Sequence, residues 1–290
     1  MSPHLHPAPL SPPDPLADEL VSCLVEAVAE QAAALPAVRA FAATPLRTRV
    51  LGRATRSAPA GRPLFTARLR DAVLQSLAPG VSRVALYRST GTGLRPGEPL
   101  RTCLLSLAPG ACFELPAAAA GVQRDWLGLA GEVEVGATRL GLHDYLVMPA
   151  NDTLIRLTSA GGARLYLRES IAPESDSPCS QVVTSLSAQA DWHDYGPGIR
   201  RRVLWSSGGE AAMLYHTLPG ARVPAHGHRR DEECLMLDGD LYLDDLLLAR
   251  GDYQLAPAGT GHASVFTDGG VVIYAHGDLD LDFRAEVASG

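Results

Sequence analysis

The sequence predicts a mainly β protein in which two related strand-rich copies follow a short helical segment. From about residue 63, apolar runs are short, rich in Val, Leu, Ile and Tyr, and separated by Gly and Pro, which is typical of barrels and sandwiches. An internal repeat predicts two copies of this fold. PGVSRVALYRSTG at 79–91 resembles PGIRRRVLWSSGG at 197–209, and LGLAGEVEVGATRLGLHDYLVMPA at 127–150 resembles LMLDGDLYLDDLLLARGDYQLAPA at 235–258.

The chain before the first copy has a different composition and predicts no strand. Its first residues are rich in proline and are expected to be a disordered tail. Asp14 followed by Pro15 has the pattern of a helix start, and apolar residues then recur at helical spacing up to Pro36. The expected organisation is a tail at 1–13, a helical N-terminal segment at 14–62, a first copy at 63–172, a linker at 173–183 and a second copy at 184–290.

The composition excludes some classes of function. The net charge is −7 at pH 7, which argues against a nucleic-acid-binding surface. No stretch of 18 apolar residues occurs, and the N-terminus lacks a basic region followed by an apolar run, so we expect neither a membrane span nor a signal peptide. The five cysteines have no paired spacing, which is typical of free thiols in a reducing compartment. We therefore expect a cytoplasmic protein.

The second copy contains a candidate metal site. His226 and His228 are one residue apart, so on a strand both side chains point to the same face. Glu232 begins the next apolar run, and His262 follows a tight PAG turn. Three imidazoles and one carboxylate are a ligand set for one divalent transition metal, and they suit zinc, iron, manganese and nickel alike.

The surroundings of this site are less strongly specified. Glu233 is the alternative carboxylate, but it lies one position after Glu232 and therefore on the opposite face of the strand. Cys234 shares the face of Glu232, and a thiol beside a metal is oxidisable. No residue is assigned a catalytic role. Candidates for the wall of the site, or for hydrogen bonds to its ligands, are Cys234, Met236, Tyr215, Phe266, Tyr274 and His276.

The spacing of these residues resembles that of the cupin superfamily. The first cupin motif, G-x5-H-x-H-x3-E-x6-G, is matched at each position, and the second, G-x5-P-x-G-x2-H-x3-N, is matched except that Phe266 replaces the final Asn. The matching residues are Gly220, His226, His228, Glu232 and Gly239, then Gly251, Pro257, Gly259 and His262. The resemblance implies two cupin barrels of the jelly-roll type, with one metal in the second.

The first copy keeps the glycines and prolines of the turns but lacks every ligand. Pro116 and Ala118 align with the two paired histidines, Arg124 or Asp125 with the glutamate, and Leu154 with the third histidine. We therefore expect a degenerate cupin barrel without a metal. Packing against the second barrel and holding a different small ligand are both compatible with this copy.

The second copy resembles more specifically the cupin of the ChrR-type anti-sigma factors. This resemblance implies a regulatory or sensor protein that responds to oxidative stress or to a small ligand, with a sigma factor or other protein bound through the N-terminal helices. The N-terminus lacks the His-x3-Cys-x2-Cys element of that family, and Cys23 stands alone. The alternative function is a non-haem metal-dependent dioxygenase that acts on a diketone or related small organic acid. Either protein is compatible with a homodimer.

Overall fold

The computed structural model describes residues 62–91, 93–149, 154–172, 182–189 and 191–283. This part of the chain consists of strands joined by tight turns, with 3₁₀ turns at Leu69–Asp71 and Ser187–Gln189, so the prediction of a mainly β protein is confirmed. The predicted tail at 1–13 lies outside the described residues, as does the helical segment at 14–62 apart from its last residue. No helix among the described residues is long and apolar enough to cross a membrane.

The first half contains a seven-stranded antiparallel sheet and a four-stranded one. Its strands arise where apolar and polar residues alternate: in IRLTS at Ile155–Ser159, the first, third and fifth residues are buried. The strands before the linker are β1 (Phe65–Ala67), β2 (Leu74–Ala78), β3 (Val81–Arg88), β4 (Pro99–Leu107), β5 (Ala111–Leu115), β6 (Val122–Gly131), β7 (Val133–Val135), β8 (Thr138–Leu140), β9 (Tyr145–Met148), β10 (Ile155–Ser159) and β11 (Ala163–Ile171).

The second half contains a ten-stranded sheet and a three-stranded one. Several of its strands are only two residues long, and these include the two that carry the candidate ligands His226 and His262. The strands after the linker are β12 (Val183–Ser185), β13 (His193–Gly196), β14 (Ile199–Ser207), β15 (Glu210–Thr217), β16 (Arg222–Val223), β17 (His226–Gly227), β18 (Glu232–Leu243), β19 (Leu246–Ala249), β20 (Tyr253–Ala256), β21 (Gly261–His262), β22 (Val265–Phe266), β23 (Val271–Asp278) and β24 (Asp282–Phe283).

The two large sheets have the same strand order, which agrees with the repeat in the sequence. The order is β12-β9-β6-β11-β4-β3-β2 in the first half and β1-β20-β18-β23-β15-β14-β13 along the main path of the second. In both sheets the strand at one edge comes from the other half of the chain. β12 pairs with β9, and β1 pairs with β20. The two halves therefore exchange an edge strand, and the strand β12 begins inside the segment predicted to be a linker.

Equivalent glycines mark the shared frame. Gly131 ends β6 with φ +66°, and Gly239 stands in β18 with φ +72°. A Cβ would lie 2.0 Å from the backbone oxygen of Gly162 in the first case and 2.1 Å from that of Gly270 in the second. Both the positive φ and the lack of space exclude a side chain at these two positions. This explains why the repeat has glycine at both.

Three apolar clusters form the core of the part of the chain that the structure describes. One lies inside each half, around Leu157 and Trp126 in the first and around Leu248 and Met236 in the second. The third lies between the two large sheets and contains Tyr166 and residues of both halves. Each large sheet thus buries both of its faces. That each half closes into a cupin barrel stays a prediction.

Candidate metal centre

Two short strands bring two of the candidate ligands together. β17 pairs antiparallel with β21, and His226 lies opposite His262 in this register. Gly227 lies opposite Gly261, where a Cβ would lie 2.4 Å from the backbone oxygen of His226. Glycine at position 261 is therefore needed for the two strands, and with them the two imidazoles, to approach closely.

His228 and Glu232 complete the cluster. The centroids of the three imidazole rings lie 5.3, 5.6 and 5.0 Å apart, and all three histidines are buried. His226, His228 and Glu232 each present a ligand atom within 4.8 Å of the others. Oε2 of Glu232 lies 2.9 Å from Nε2 of His228 and 4.0 Å from Nε2 of His262. The structure therefore brings together all four residues that the sequence predicted as ligands, with His262 at the edge.

The other ring nitrogens of two histidines are engaged by the protein. Nδ1 of His226 donates to the backbone oxygen of Pro224 at 2.9 Å. Nδ1 of His228 donates to the hydroxyl of Thr260 at 3.2 Å, because that hydroxyl itself donates to the backbone oxygen of Pro257 at 2.6 Å. These bonds hold the proton on Nδ1 and leave the lone pair of Nε2 facing the cluster.

A carboxylate lies close to His262 without bonding to it. Its Nδ1 lies 3.6 Å from Oδ2 of Asp244, and neither of its ring nitrogens has a hydrogen-bond partner among the described residues. Oδ1 of Asp244 accepts from the backbone N–H groups of Ala263 and Ser264 at 2.8 and 3.1 Å, which fixes this carboxylate. A buried imidazole without a hydrogen bond is costly, and a cation at Nε2 would relieve that cost. The residues present therefore fit a divalent transition metal.

The charge state of the cluster also suits a metal. Burial by itself would raise the pKa of Glu232, but the three imidazoles, His228 foremost, outweigh it and lower that pKa to about 2. Burial lowers the pKa of His226 below its ordinary value. At neutral pH the site therefore presents an ionised carboxylate beside a neutral imidazole, which is the protonation state that metal binding requires.

A cavity of about 60 Å³ adjoins the cluster, and its wall is almost entirely apolar apart from the candidate ligands. Tyr215 and Cys234 line this cavity, as the sequence predicted, and Met236 packs in the same apolar core. Burial, reinforced by the neighbouring carboxylates, raises the pKa of the Cys234 thiol well above its ordinary value. Cys234 is therefore held as a thiol and not as the reactive thiolate.

Three residues predicted to surround the site lie elsewhere. Phe266 stacks on Tyr242, with ring centroids 4.6 Å apart and planes 6° apart. Tyr274 and His276 lie between the two large sheets: Tyr274 packs in the middle apolar cluster, and His276 stacks on Trp205 at 6.0 Å. The intervening residues of β23 face the cavity, and side chains alternate along a strand, so Tyr274 and His276 have to face away from it.

The alternative carboxylate, Glu233, also faces away from the cluster. It is buried between the large sheets, where Nε of Arg168 donates to its Oε1 at 2.5 Å and the hydroxyl of Tyr253 donates to its Oε2 at 2.7 Å. Strand alternation therefore separates the two neighbouring acids, and Glu232 is the one that lies beside the histidines.

In the first half, an arginine stands where the second half has Glu232. Arg124 holds the place in the β6–β9 ladder that Glu232 holds in the β18–β20 ladder, whereas Asp125 lies on the other face. Nε of Arg124 donates to Oε1 of Glu169 at 2.9 Å, and Nη2 donates to the backbone oxygen of Pro116 at 2.8 Å. A buried ion pair thus occupies, in this half, the place of the histidine–glutamate cluster.

Two side chains beside the candidate ligands were not predicted from the sequence: Thr260, which bonds to His228, and Asp244, which lies near His262. Thr260 stands two residues before His262 in GTGH, within reach of the ligands, but a hydroxyl there is equally typical of a turn. Asp244 adopts a positive φ of 56° in the hairpin between β18 and β19. An Asp-Asp pair predicts such a hairpin, yet it does not predict that the carboxylate turns toward a histidine.

The strand order and the histidine–glutamate cluster together define a cupin-like protein. Three solved structures are similar over most of the chain: the putative glyoxylate induced protein from Pseudomonas aeruginosa (TM-score 0.60, 15% identity, 77% of this chain and 92% of that one), a putative dioxygenase from Nostoc punctiforme (0.57, 16%, 79% and 85%) and the oxalate decarboxylase of Lactobacillus farciminis (0.56, 12%, 75% and 87%). At these identities the similarity shows the fold alone.

The second half has a more specific relationship. Residues 180–280 match the model of the ChrR Cupin-like domain. The anti-sigma-E factor ChrR of Cereibacter sphaeroides is 31% identical to this chain over 115 residues, which are 39% of this chain and 54% of that protein. The second half is therefore a ChrR-like cupin domain, and the chain spans about half the length of this relative.

Proposed function

We propose that this chain is a metal-binding regulatory protein whose ChrR-like cupin holds one divalent transition metal through His226, His228, Glu232 and His262. The observation that carries the proposal is the buried cluster of three imidazoles and one carboxylate. Two of the imidazoles have their Nδ1 atoms bonded to the protein and so present Nε2 as a ligand.

The donor set suits zinc, iron, manganese and nickel alike. Three neutral imidazoles and one carboxylate leave a bound dication with a net positive charge. Apart from the ligands, the described residues that line the adjoining cavity carry no charged side chain. A small ligand that reaches the metal from the cavity would therefore interact with the ion and with an apolar wall.

Metal analysis of the purified chain tests the proposal. We expect stoichiometric metal in the wild-type chain and its loss in His226→Ala and His262→Ala. His193→Ala is the matched control, because the imidazole of His193 is 68% exposed and lies outside the cluster. It should keep the wild-type metal content. Equally low metal in the wild-type chain and in both cluster variants would contradict the proposal.

The regulatory role is supported by the similarity of the second half to a protein named an anti-sigma factor. We propose a sigma factor as the partner and the metal site as the element that responds to oxidative stress or to a small ligand. Co-expression with the sigma factors of the same genome, with and without peroxide, tests this role. A complex that forms with the wild-type chain and dissociates with peroxide supports it; no complex under either condition would contradict it.

We also propose that both halves are cupin barrels and that the first is degenerate. The common strand order and the equivalent glycines Gly131 and Gly239 support two copies of one barrel. The Arg124–Glu169 ion pair at the place of the metal cluster supports the loss of metal binding in the first copy.

The alternative is a non-haem dioxygenase that acts on a diketone or related acid. It is supported by the same ligands, which leave coordination positions open toward the cavity. The volume of about 60 Å³ and the apolar wall favour the regulatory role, because a carboxylate substrate would meet no arginine or lysine among the described residues of that wall. Oxygen uptake by the iron(II)-loaded chain with a panel of diketones decides between the two: sustained turnover would establish the enzyme.

A further inference from the structure

We propose that Arg168, a residue of the first half, is a positioning residue for the metal site of the second half. It acts by fixing Glu233, the neighbour of the candidate ligand Glu232 on β18. The inference rests on the proposed metal site and gives a role to the half that has no ligands.

Arg168 is buried between the two large sheets, and its guanidinium has four hydrogen-bond partners among the described residues. Nε donates to Oε1 of Glu233 at 2.5 Å, and Nη1 donates to Oδ2 of Asp125 at 3.1 Å. Nη1 also donates to the hydroxyl of Ser170 at 2.7 Å, and Nη2 donates to the backbone oxygen of Gly97 at 2.6 Å. Three of these partners belong to the first half and hold the guanidinium in place. The fourth bond, to Glu233, connects it to β18.

Glu233 is held mainly from the first half. It is 1% exposed, and its Oε2 accepts from the hydroxyls of Tyr253 at 2.7 Å and Tyr166 at 3.3 Å. Tyr166 and Arg168 lie on β11 of the first half, whereas Tyr253 lies on β20 of the second. A buried carboxylate is tolerated only with such partners, so the orientation of Glu233 depends on the other half of the molecule.

Because the backbone joins Glu233 to Glu232, fixing the orientation of Glu233 also fixes the position of Glu232 at the proposed metal site. Glu232 and Glu233 are joined by one peptide plane and point to opposite faces of β18. A rotation of β18 that released Glu233 would also move Oε2 of Glu232 away from Nε2 of His228, which lies at 2.9 Å. Groups that orient metal ligands from outside typically change metal affinity by about 10- to 100-fold. The Arg168–Glu233 pair has the geometry of such a group.

Arg124 provides a matched comparison. It is buried in the same half and pairs with Glu169 at 2.9 Å, and its other hydrogen bond, to the backbone oxygen of Pro116, also stays within that half. Replacing either arginine with methionine removes a buried guanidinium from an ion pair, so both variants should be destabilised. Only Arg168 touches β18, so only its loss should change the metal site.

Cobalt(II) titration of the full chain, followed by visible absorption, tests the inference. We expect Arg168→Met to bind cobalt about 10- to 100-fold more weakly than the wild-type chain and to have an altered spectrum. Arg124→Met should keep the wild-type affinity and spectrum while its unfolding temperature falls. Arg168→Lys keeps the charge but has fewer donors in a different arrangement, so it should recover part of the affinity.

Each outcome has a defined meaning. Cobalt affinity and spectrum that are the same in Arg168→Met and Arg124→Met would overturn the inference and leave the metal site intact. If Arg168→Met does not fold, Glu233→Gln removes the same ion pair with little change in size, and wild-type cobalt binding in that variant would overturn the inference as well. A wild-type chain that binds no cobalt would refute the proposed metal site and this inference with it.

Discussion

The two halves of the molecule share one strand order and fill the same place with opposite charges. On β18 the second half presents Glu232 to three histidines, and on β6 the first half presents Arg124 to Glu169. The second half thus presents imidazole nitrogens and a carboxylate that suit a cation. In the first half the cation is the guanidinium of Arg124, and Glu169 already neutralises it. The shared strand order thus determines where a charged side chain lies. The identity of that side chain determines whether the positive charge at this place comes from an arginine or would come from a bound ion.

The large sheets differ in a second equivalent position. Arg168 on β11 pairs with Asp125 in the strand ladder as His276 on β23 pairs with Glu233. Arg168 contacts both acids, whereas burial, together with Arg168, holds the pKa of His276 well below its ordinary value. The guanidinium of Arg168 therefore pairs with two buried carboxylates, those of Asp125 and Glu233, and the imidazole of His276 stays neutral.

The strongest test of this comparison is Glu169→Gln. Glu169 is buried and pairs with Arg124 and Arg101, so the amide would leave the guanidinium of Arg124 buried without a counter-charge. We expect the free energy of unfolding to fall by about 3 kcal/mol, measured by urea unfolding. The metal content of the second half should not change.

The control for this prediction is Glu132→Gln. It removes an ion pair with Arg139 in which both side chains are exposed, so its loss should cost less than about 1 kcal/mol. Equal destabilisation by the two variants would show that the Arg124–Glu169 pair does not stabilise the first half more than an exposed ion pair does.

The next largest effect is expected from Thr260→Val, which acts on the second half alone. The variant removes the oxygen that accepts the Nδ1 proton of His228. We expect metal affinity to fall by about 10-fold or more, because the orientation and basicity of the imidazole depend on that bond. Competition with a chromophoric chelator measures it.

Thr267→Val is the matched control, since its hydroxyl is also buried and accepts from the backbone N–H of Gly270, away from the cluster. It should lower stability and leave metal affinity unchanged. If both threonine variants bind metal as the wild-type chain does, the hydroxyl of Thr260 does not support His228.

The smallest effect is expected from His276→Gln, on the pH dependence of stability in the metal-free protein. The folded-state pKa lies well below 6.5, so the unfolded chain binds a proton that the folded chain excludes. The free energy of unfolding should therefore fall as the pH drops below about 6.5. Without the imidazole, this fall should be weaker by about 1 kcal/mol over the first pH unit.

Urea unfolding on both sides of that pH measures the effect, with His193→Gln as the exposed control. The control should follow the wild-type curve. A pH dependence of stability that is identical in His276→Gln and the wild-type chain would mean that the buried imidazole takes up a proton without cost.

That His226, His228, Glu232 and His262 lie together could be predicted from the sequence, because their approach depends on local spacing. His226 and His228 share a face by strand alternation, and the positions of Glu232 and His262 follow from turns close in sequence. The repeat predicted the duplicated β fold for a similar reason, since it needs only the order of segments. The resemblance to the ChrR-type cupin is confirmed for the second half, where residues 180–280 match the model of that domain.

What the sequence could not predict depends on pairing between distant strands. Tyr274 and His276 were predicted to lie near the site but face away from it. The face that β23 turns toward the cavity is set by its pairing with β15 and β18, which local spacing does not reveal. The contact between Arg168 and Glu233 joins residues 65 positions apart in two different sheets. A lone arginine in a strand is typical of a solvated face, so nothing local indicates that it is buried.

The exchanged edge strands link the order of synthesis to the order in which the sheets are completed. β1 is made first but pairs with β20, near the end of the chain, and β12 is made after the whole first half but completes that half's sheet at β9. During translation the first half therefore has an open sheet edge until the ribosome has passed the linker. A cut in the linker would not release two modules, because each fragment would keep a strand that belongs to the other.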